Sequence, residues 1–110
     1  MIVRITRAKV RRDAEARAFE AVRAISADVG KPEGLEGLLI GRRSLDEGNE
    51  LIAISIWSDI EPLRTAYGEN FAKPGLGRLL DDLVTDPTVE LYETVVESWA
   101  GLEHIADKWS

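Results

Sequence analysis

Leu51-Ile52-Ala53-Ile54-Ser55-Ile56-Trp57 runs directly into Ser58-Asp59-Ile60-Glu61. A strand with one face in water alternates apolar and polar positions; this one, almost wholly apolar with four bulky aliphatics, reads as a strand buried on both faces. The next four residues read as a helix start, with Ser58 as the N-cap and Glu61 three residues on completing a capping box. In a small domain, helices cover one face of such a strand. A second copy of the chain is the simplest cover for the other.

Working outward from this run, Ile2 to Val10 alternates as a strand, with Val3, Ile5 and Arg7 on one face and Arg4, Thr6 and Ala8 on the other. A helix opens at Asp13 and carries an inward stripe of Ala14, Ala18, Ala21, Val22, Ile25 and Val29. Gly30, Lys31 and Pro32 stop it. A second strand covers Leu35 to Arg43, and Asp46-Glu47-Gly48-Asn49 turns the chain into the third, Glu50 to Trp57. Ile60, Leu63 and Tyr67 have helical spacing, and Pro62 is tolerated in a first turn. Lys73-Pro74-Gly75 interrupts this region. Leu76, Leu79, Leu80, Leu83 and Val84 then predict a second helical piece ending before Asp86-Pro87, and Val89 to Val96 a fourth strand.

The order β-α-β-β-α-β is that of an α+β, ferredoxin-like fold with a four-stranded antiparallel sheet, in which the first and third strands are central and both helices lie on one face. Parity divides the sheet. Val3, Ile5, Ile52, Ile54, Ile56, Val89 and Leu91 are expected beneath the helices. Thr6, Ala8, Leu51, Ala53, Ser55, Trp57, Tyr92, Thr94 and Val96 are expected on a face that packs against a second subunit, because so apolar a patch does not stay in water. Trp99, Leu102, Ile105 and Trp109 recur every three to four residues in an amphipathic C-terminal extension, too short to be stable alone.

The 110 residues are enough for one domain, and 45% apolar with 31% charged content is that of a globular protein. A net charge of −6, from 14 basic and 20 acidic residues, argues against a nucleic-acid surface. The early basic residues Arg4, Arg7, Lys9, Arg11 and Arg12 read as a solvated strand end. With no cysteine, disulfides, thiolate catalysis and cysteine-bound metals are excluded. No apolar run approaches a membrane span, so no membrane partner and a cytoplasmic location are expected.

The Ile-Val-Arg-Ile opening strand, Pro-Glu-Gly-Leu-Glu-Gly before the second strand, and Leu-Ile-Ala-Ile-Ser-Ile-Trp-Ser-Asp at the third resemble the antibiotic-biosynthesis-monooxygenase family of dimeric α/β-barrel proteins. The resemblance covers residues 1–97, leaving 98–110 as the extension. It implies a homodimer whose two sheets form an α/β barrel, a pocket between sheet and helices, and a cofactor-free oxygenase acting on an activated aromatic or quinol-type molecule. A non-catalytic module of the same fold, in small-ligand binding or stress response, is the alternative. The haem-degrading branch uses an asparagine on the first strand and a tryptophan and a histidine on the second helical region. Those positions here look to be Arg7, Ala66 or Tyr67, and Leu76, which speaks against haem.

Within the implied pocket, Arg7 and Tyr67 are the candidate catalytic residues. Arg7 offers a cation to a substrate oxyanion or forms an ion pair with Glu93 at the sheet margin. Phe71, Arg78 and Glu93 are candidate substrate-binding residues; Tyr67 and Phe71 equally suit core packing. Trp57 has the parity of the dimer face. His104, the only histidine, sits in the extension beside Glu103, either as a base or as an incidental residue. No metal-ligand cluster, phosphate loop or Ser-His-Asp arrangement is present, so no cofactor and no metal are expected.

Overall fold

The computed structural model describes residues 1–27, 32–74 and 80–97. Its elements are β1 (Ile2–Val10), α1 (Glu15–Ala27), β2 (Leu35–Leu45), β3 (Gly48–Trp57), α2 (Ile60–Tyr67) and β4 (Val84–Glu93), with single 3-10 turns at Arg12–Ala14, Gly68–Asn70 and Asp81–Leu83. The strands form one antiparallel sheet in the order β2-β3-β1-β4, so β1 and β3 are central as the apolar run at 51–57 implies.

Local chemistry accounts for the joints. A two-residue turn, Asp46-Glu47, closes the β2–β3 hairpin, with Leu45 opposite Gly48. The Leu35 amide donates to the Pro32 carbonyl across a turn in which Gly34 has φ +84°, a conformation glycine adopts without strain. The α2 cap is Asp59, not Ser58: its carboxylate accepts from the Ile60 amide at 2.7 Å. Asp13 lies inside the 3-10 turn ahead of α1, and that turn has no side-chain cap.

The fourth strand starts at Val84, five residues earlier than its β-propensity suggests. Asp86-Pro87, which reads as a helix stop, instead sits at an irregularity in the β1–β4 ladder between Arg7 and Lys9. Proline is tolerated in a strand at such a point on an edge, and Asp86 takes the positive φ of 52° that the extra residue requires. The predicted helix over Leu76 to Val84 is therefore, where described, a 3-10 turn leading into a strand. Leu76 and Leu79 lie outside the described residues.

On the two central strands the faces are the reverse of the expectation. Arg4, Thr6, Ala8 and Val10 of β1, and Leu51, Ser55 and Trp57 of β3, are the buried ones. Ala14 and Ala18 on the helix side and Leu63 of α2 are buried with them. Val10, Ala18, Leu51 and Leu80 form a core cluster against which Phe19, Ala21, Val22 and Leu83 pack. The reason is steric as well as topological: Thr6, Ala8 and Ser55 are small, and small residues let a helix approach the sheet closely. The aliphatic row of Val3, Ile5, Ile52, Ile54 and Ile56 is half-buried on the other side. β4 is the exception: Val89 lies opposite Thr6 and Leu91 opposite Arg4, on the helix side as expected, and Tyr92 lies opposite Val3 on the open side, also as expected.

Candidate functional site

The helix side of the sheet carries an arginine-aromatic cluster. β1 places Arg4 in the middle of the covered face, where it is only 4% exposed. Its Nε donates to the Phe71 carbonyl at 3.0 Å and its Nη2 to the Lys73 carbonyl at 3.1 Å. Its guanidinium carbon lies 4.2 Å from the centroid of the Tyr67 ring, within cation–π range. Tyr67 meets Trp57 edge to face, with centroids 6.1 Å apart and an interplanar angle of 70°. The Trp57 indole donates to Ser55 Oγ at 2.9 Å, so a tryptophan buried at the end of β3 has its polar atom satisfied. Burial draws the Arg4 guanidinium below its ordinary pKa, with Tyr67 and then Asp81 opposing that shift. Among the described residues, no buried side-chain nitrogen or oxygen is without a hydrogen-bond partner.

Arg4 thus brings together the Tyr67 ring and the Phe71 carbonyl, but Arg7 does not join them. Arg7 stands opposite Ile52 and Thr88 on the open face and pairs with Glu90. The parity of β1 puts it on the side away from Tyr67. Its partner is also different from the one expected: Glu93 lies opposite Ile2, at the far end of the strand and on the other face. Arg78, like His104, lies outside the described residues. Phe71 is half-buried, and Arg64 stands 5.3 Å from its ring.

Arg4, Ser55 and Trp57 are the residues that sequence reasoning misplaced. By its sequence context Arg4 belongs to the solvated basic run. A usable signal was present: Arg4 shares parity with Thr6 and Ala8, and a central strand must bury that side wherever helices lie on it.

The open face holds a second polar group. Glu90 takes the Tyr92 hydroxyl at 2.7 Å in addition to Arg7. The Tyr92 bond first, and Arg7 second, hold the Glu90 carboxyl below its ordinary pKa, while Glu90 raises that of Tyr92. A groove of about 460 Å³ on this side is lined by Arg7, Arg43, Glu50 and Ile52. Among the described residues, no three His, Asp or Glu side chains gather as a metal site, and no helix is long and apolar enough to cross a membrane.

No protein-family model matches the chain, and no curated protein matches it in sequence. Solved structures do match in fold. One from Deinococcus radiodurans, described as an antibiotic biosynthesis monooxygenase, superposes with a TM-score of 0.68 at 14% identity, covering 89% of this chain and 96% of that one. The fold is that of the antibiotic biosynthesis monooxygenases. SnoaB from Streptomyces nogalater, a cofactor-independent oxygenase with this fold, superposes at a TM-score of 0.64 and 19% identity, covering 90% of this chain and 96% of SnoaB. The haem degrader MhuD from Mycobacterium tuberculosis, whose structure holds two haems in its active site, superposes at 0.61 and 16% identity, covering 89% and 99%. Proteins of the monooxygenase fold thus differ in the chemistry that their names record, and the chemistry open to this chain depends on its own side chains.

Proposed function

We propose that this chain is a cofactor-independent monooxygenase acting on a small activated aromatic or quinol-type molecule, with its site at the Arg4–Tyr67–Trp57 cluster. The supporting observation is a buried guanidinium that stacks on the Tyr67 ring, itself edge to face with Trp57, and bonds the Phe71 carbonyl. Oxygenation without a cofactor requires the substrate itself to supply the electrons, as a phenolate or enolate. A guanidinium in a site that excludes water favours that anion over the neutral phenol. The aromatic rings suit a flat substrate. In this reading Arg4, rather than Arg7, stabilises the oxyanion, and Tyr67 and Phe71 contact the substrate.

A different reading, a module that binds such a ligand without turnover, is favoured by one observation. Arg4 already spends Nε and Nη2 on the carbonyls of Phe71 and Lys73, the behaviour of a structural clamp.

Oxygen uptake against a panel of hydroxylated anthrones and quinols separates the two. Uptake that falls at least tenfold in Arg4→Gln, with the variant still folded by circular dichroism, supports the oxygenase. Ligand-induced thermal shifts without oxygen consumption leave only the binding module.

We also propose that two chains associate through the open sheet face. Its aliphatic row is half-buried rather than buried, and Leu39 and Tyr92 on the same face are 66% and 52% exposed. A surface of this kind is what a sheet-on-sheet dimer covers.

A further inference from the structure

A groove on the flank of α1, toward the edge strand β2, has no part in the proposed oxygenase chemistry. Its volume is about 260 Å³. Phe19 and Val22 of α1 line it from one side, Ile40 and Arg42 of β2 from the other, and Leu51 lies among them, 2% exposed. Arg23 of α1 also contributes to its lining.

Arg42 is the distinctive group. Its guanidinium carbon lies 4.9 Å from the centroid of the Phe19 ring. That contact engages the face of the ring and uses none of the five guanidinium N–H donors in a hydrogen bond. The neighbouring arginines are matched to acids: Arg43 to Glu50 at 2.7 Å and Arg23 to Glu20 at 3.3 Å. Among the described residues, Arg42 has no such carboxylate, in a chain with 20 acidic and 14 basic residues. Local charge balance therefore does not account for it.

We propose that this groove binds a small aromatic carboxylate, its ring among Phe19, Val22, Ile40 and Leu51 and its carboxylate on Arg42. One guanidinium presents a planar fork that matches the two oxygens of a carboxylate. A phosphate dianion calls for more positive charge than a single unmatched arginine supplies. The volume lies just below the usual range for small-molecule pockets, roughly 300–1,000 Å³, which suits a single-ring acid and not a polycyclic one. The proposal stands independently of the oxygenase reading, because the groove shares no residue with the Arg4–Tyr67 cluster.

The test is a titration with benzoate and with its neutral counterpart benzamide, followed by amide chemical shifts in two-dimensional NMR. Benzoate is expected to shift the amides of Phe19, Val22, Ile40 and Arg42 in a saturable way. Benzamide should bind at least about tenfold more weakly, since a hydrogen-bonded charge is worth about 1.5–3 kcal/mol and a factor of ten is about 1.4 kcal/mol. Arg42→Gln should weaken benzoate by a similar factor while lowering the thermal midpoint of the free protein by no more than about 5 °C, the scale of one exposed cation–π contact. Equal binding of benzoate and benzamide, an undiminished benzoate affinity in Arg42→Gln, shifts that map to another part of the fold, or no saturable shifts at all would each overturn the proposal.

Discussion

The Arg4 guanidinium stacks 4.2 Å from the Tyr67 ring and at the same time bonds the carbonyls of Phe71 and Lys73. A residue in the first half of β1 thereby fixes the end of α2 and the chain beyond it, from Tyr67 to Lys73, against the sheet. A planar fork can serve two carbonyls and a ring together; the compact ammonium of lysine cannot. Arg4→Lys is expected to lose about 1–2 kcal/mol and Arg4→Met about 2–3 kcal/mol in urea unfolding, the scale of hydrogen bonds made by a charged group. Limited proteolysis of both variants should cut first between residues 67 and 74. Wild-type stability in Arg4→Lys would show that these bonds do not hold the segment.

Gly34 is a second position where a single atom matters. Its φ is +84°, and a Cβ added there would overlap the Pro62 ring in the first turn of α2. Its carbonyl also accepts from the Ser58 amide at 2.8 Å, tying the start of β2 to the loop that leads into α2. Gly34→Ala should cost more than the ~1–3 kcal/mol of left-handed strain alone. Gly68→Ala supplies the comparison, because Gly68 has φ +65° but nothing within 4 Å of an added Cβ. Equal losses in the two variants, by chemical denaturation, would remove Pro62 from the account.

The Glu90 carboxyl is lowered in the folded chain, by Tyr92 first and Arg7 second. A depressed native pKa contributes stability that is present above the unfolded value. It is lost as pH falls through the native one. The thermal midpoint of the wild type should therefore exceed that of Glu90→Gln by a constant margin near neutrality. The margin should shrink below the usual glutamate value of about 4.3. At the alkaline end the sign reverses for Tyr92, whose pKa is raised: its contribution is complete below the ordinary tyrosine range and fades as pH rises through the native value. A margin that grows on acidification would contradict this assignment.

Association through the open face makes a sharp prediction at Ile54, which pairs with Ile5 and Leu39 near its centre. Sedimentation equilibrium at micromolar concentration should give about twice the chain mass for the wild type, as expected of a two-fold symmetric pair. Ile54→Glu should give a folded monomer, because a carboxylate buried between two sheets has no partner there. A wild-type protein that sediments as a monomer and stays soluble would refute the interface.

Much of the architecture was legible from local pattern. The continuous apolar run at 51–57 identified a central strand, Asp46-Glu47-Gly48 marked the hairpin, and the alanine stripe beginning at Ala14 marked α1. Each is a matter of periodicity or turn chemistry acting over a few residues. Two local signals misled: Asp86-Pro87 reads as a stop but lies within a strand, and Ser58 reads as a cap but yields to Asp59. In both cases the signal is shared by two structures, and only the ladder to β1 or the geometry of the turn chooses between them.

The site was less legible, for a physical reason. Both faces of the sheet are apolar enough to be buried, so hydrophobicity identifies two faces without saying which one the helices cover. That choice follows from the strand register and the path of the crossovers, which are properties of the assembled sheet. It reverses the roles of Arg4 and Arg7, three residues apart on one strand: one is buried against Tyr67 and the other pairs with Glu90 on the open side. The strand order was determined by the sequence alone, through patterns that each segment carries within itself. Which arginine meets the aromatic residues was decided only in the tertiary structure, because side-chain parity acquires a meaning only once a helix lies across the sheet.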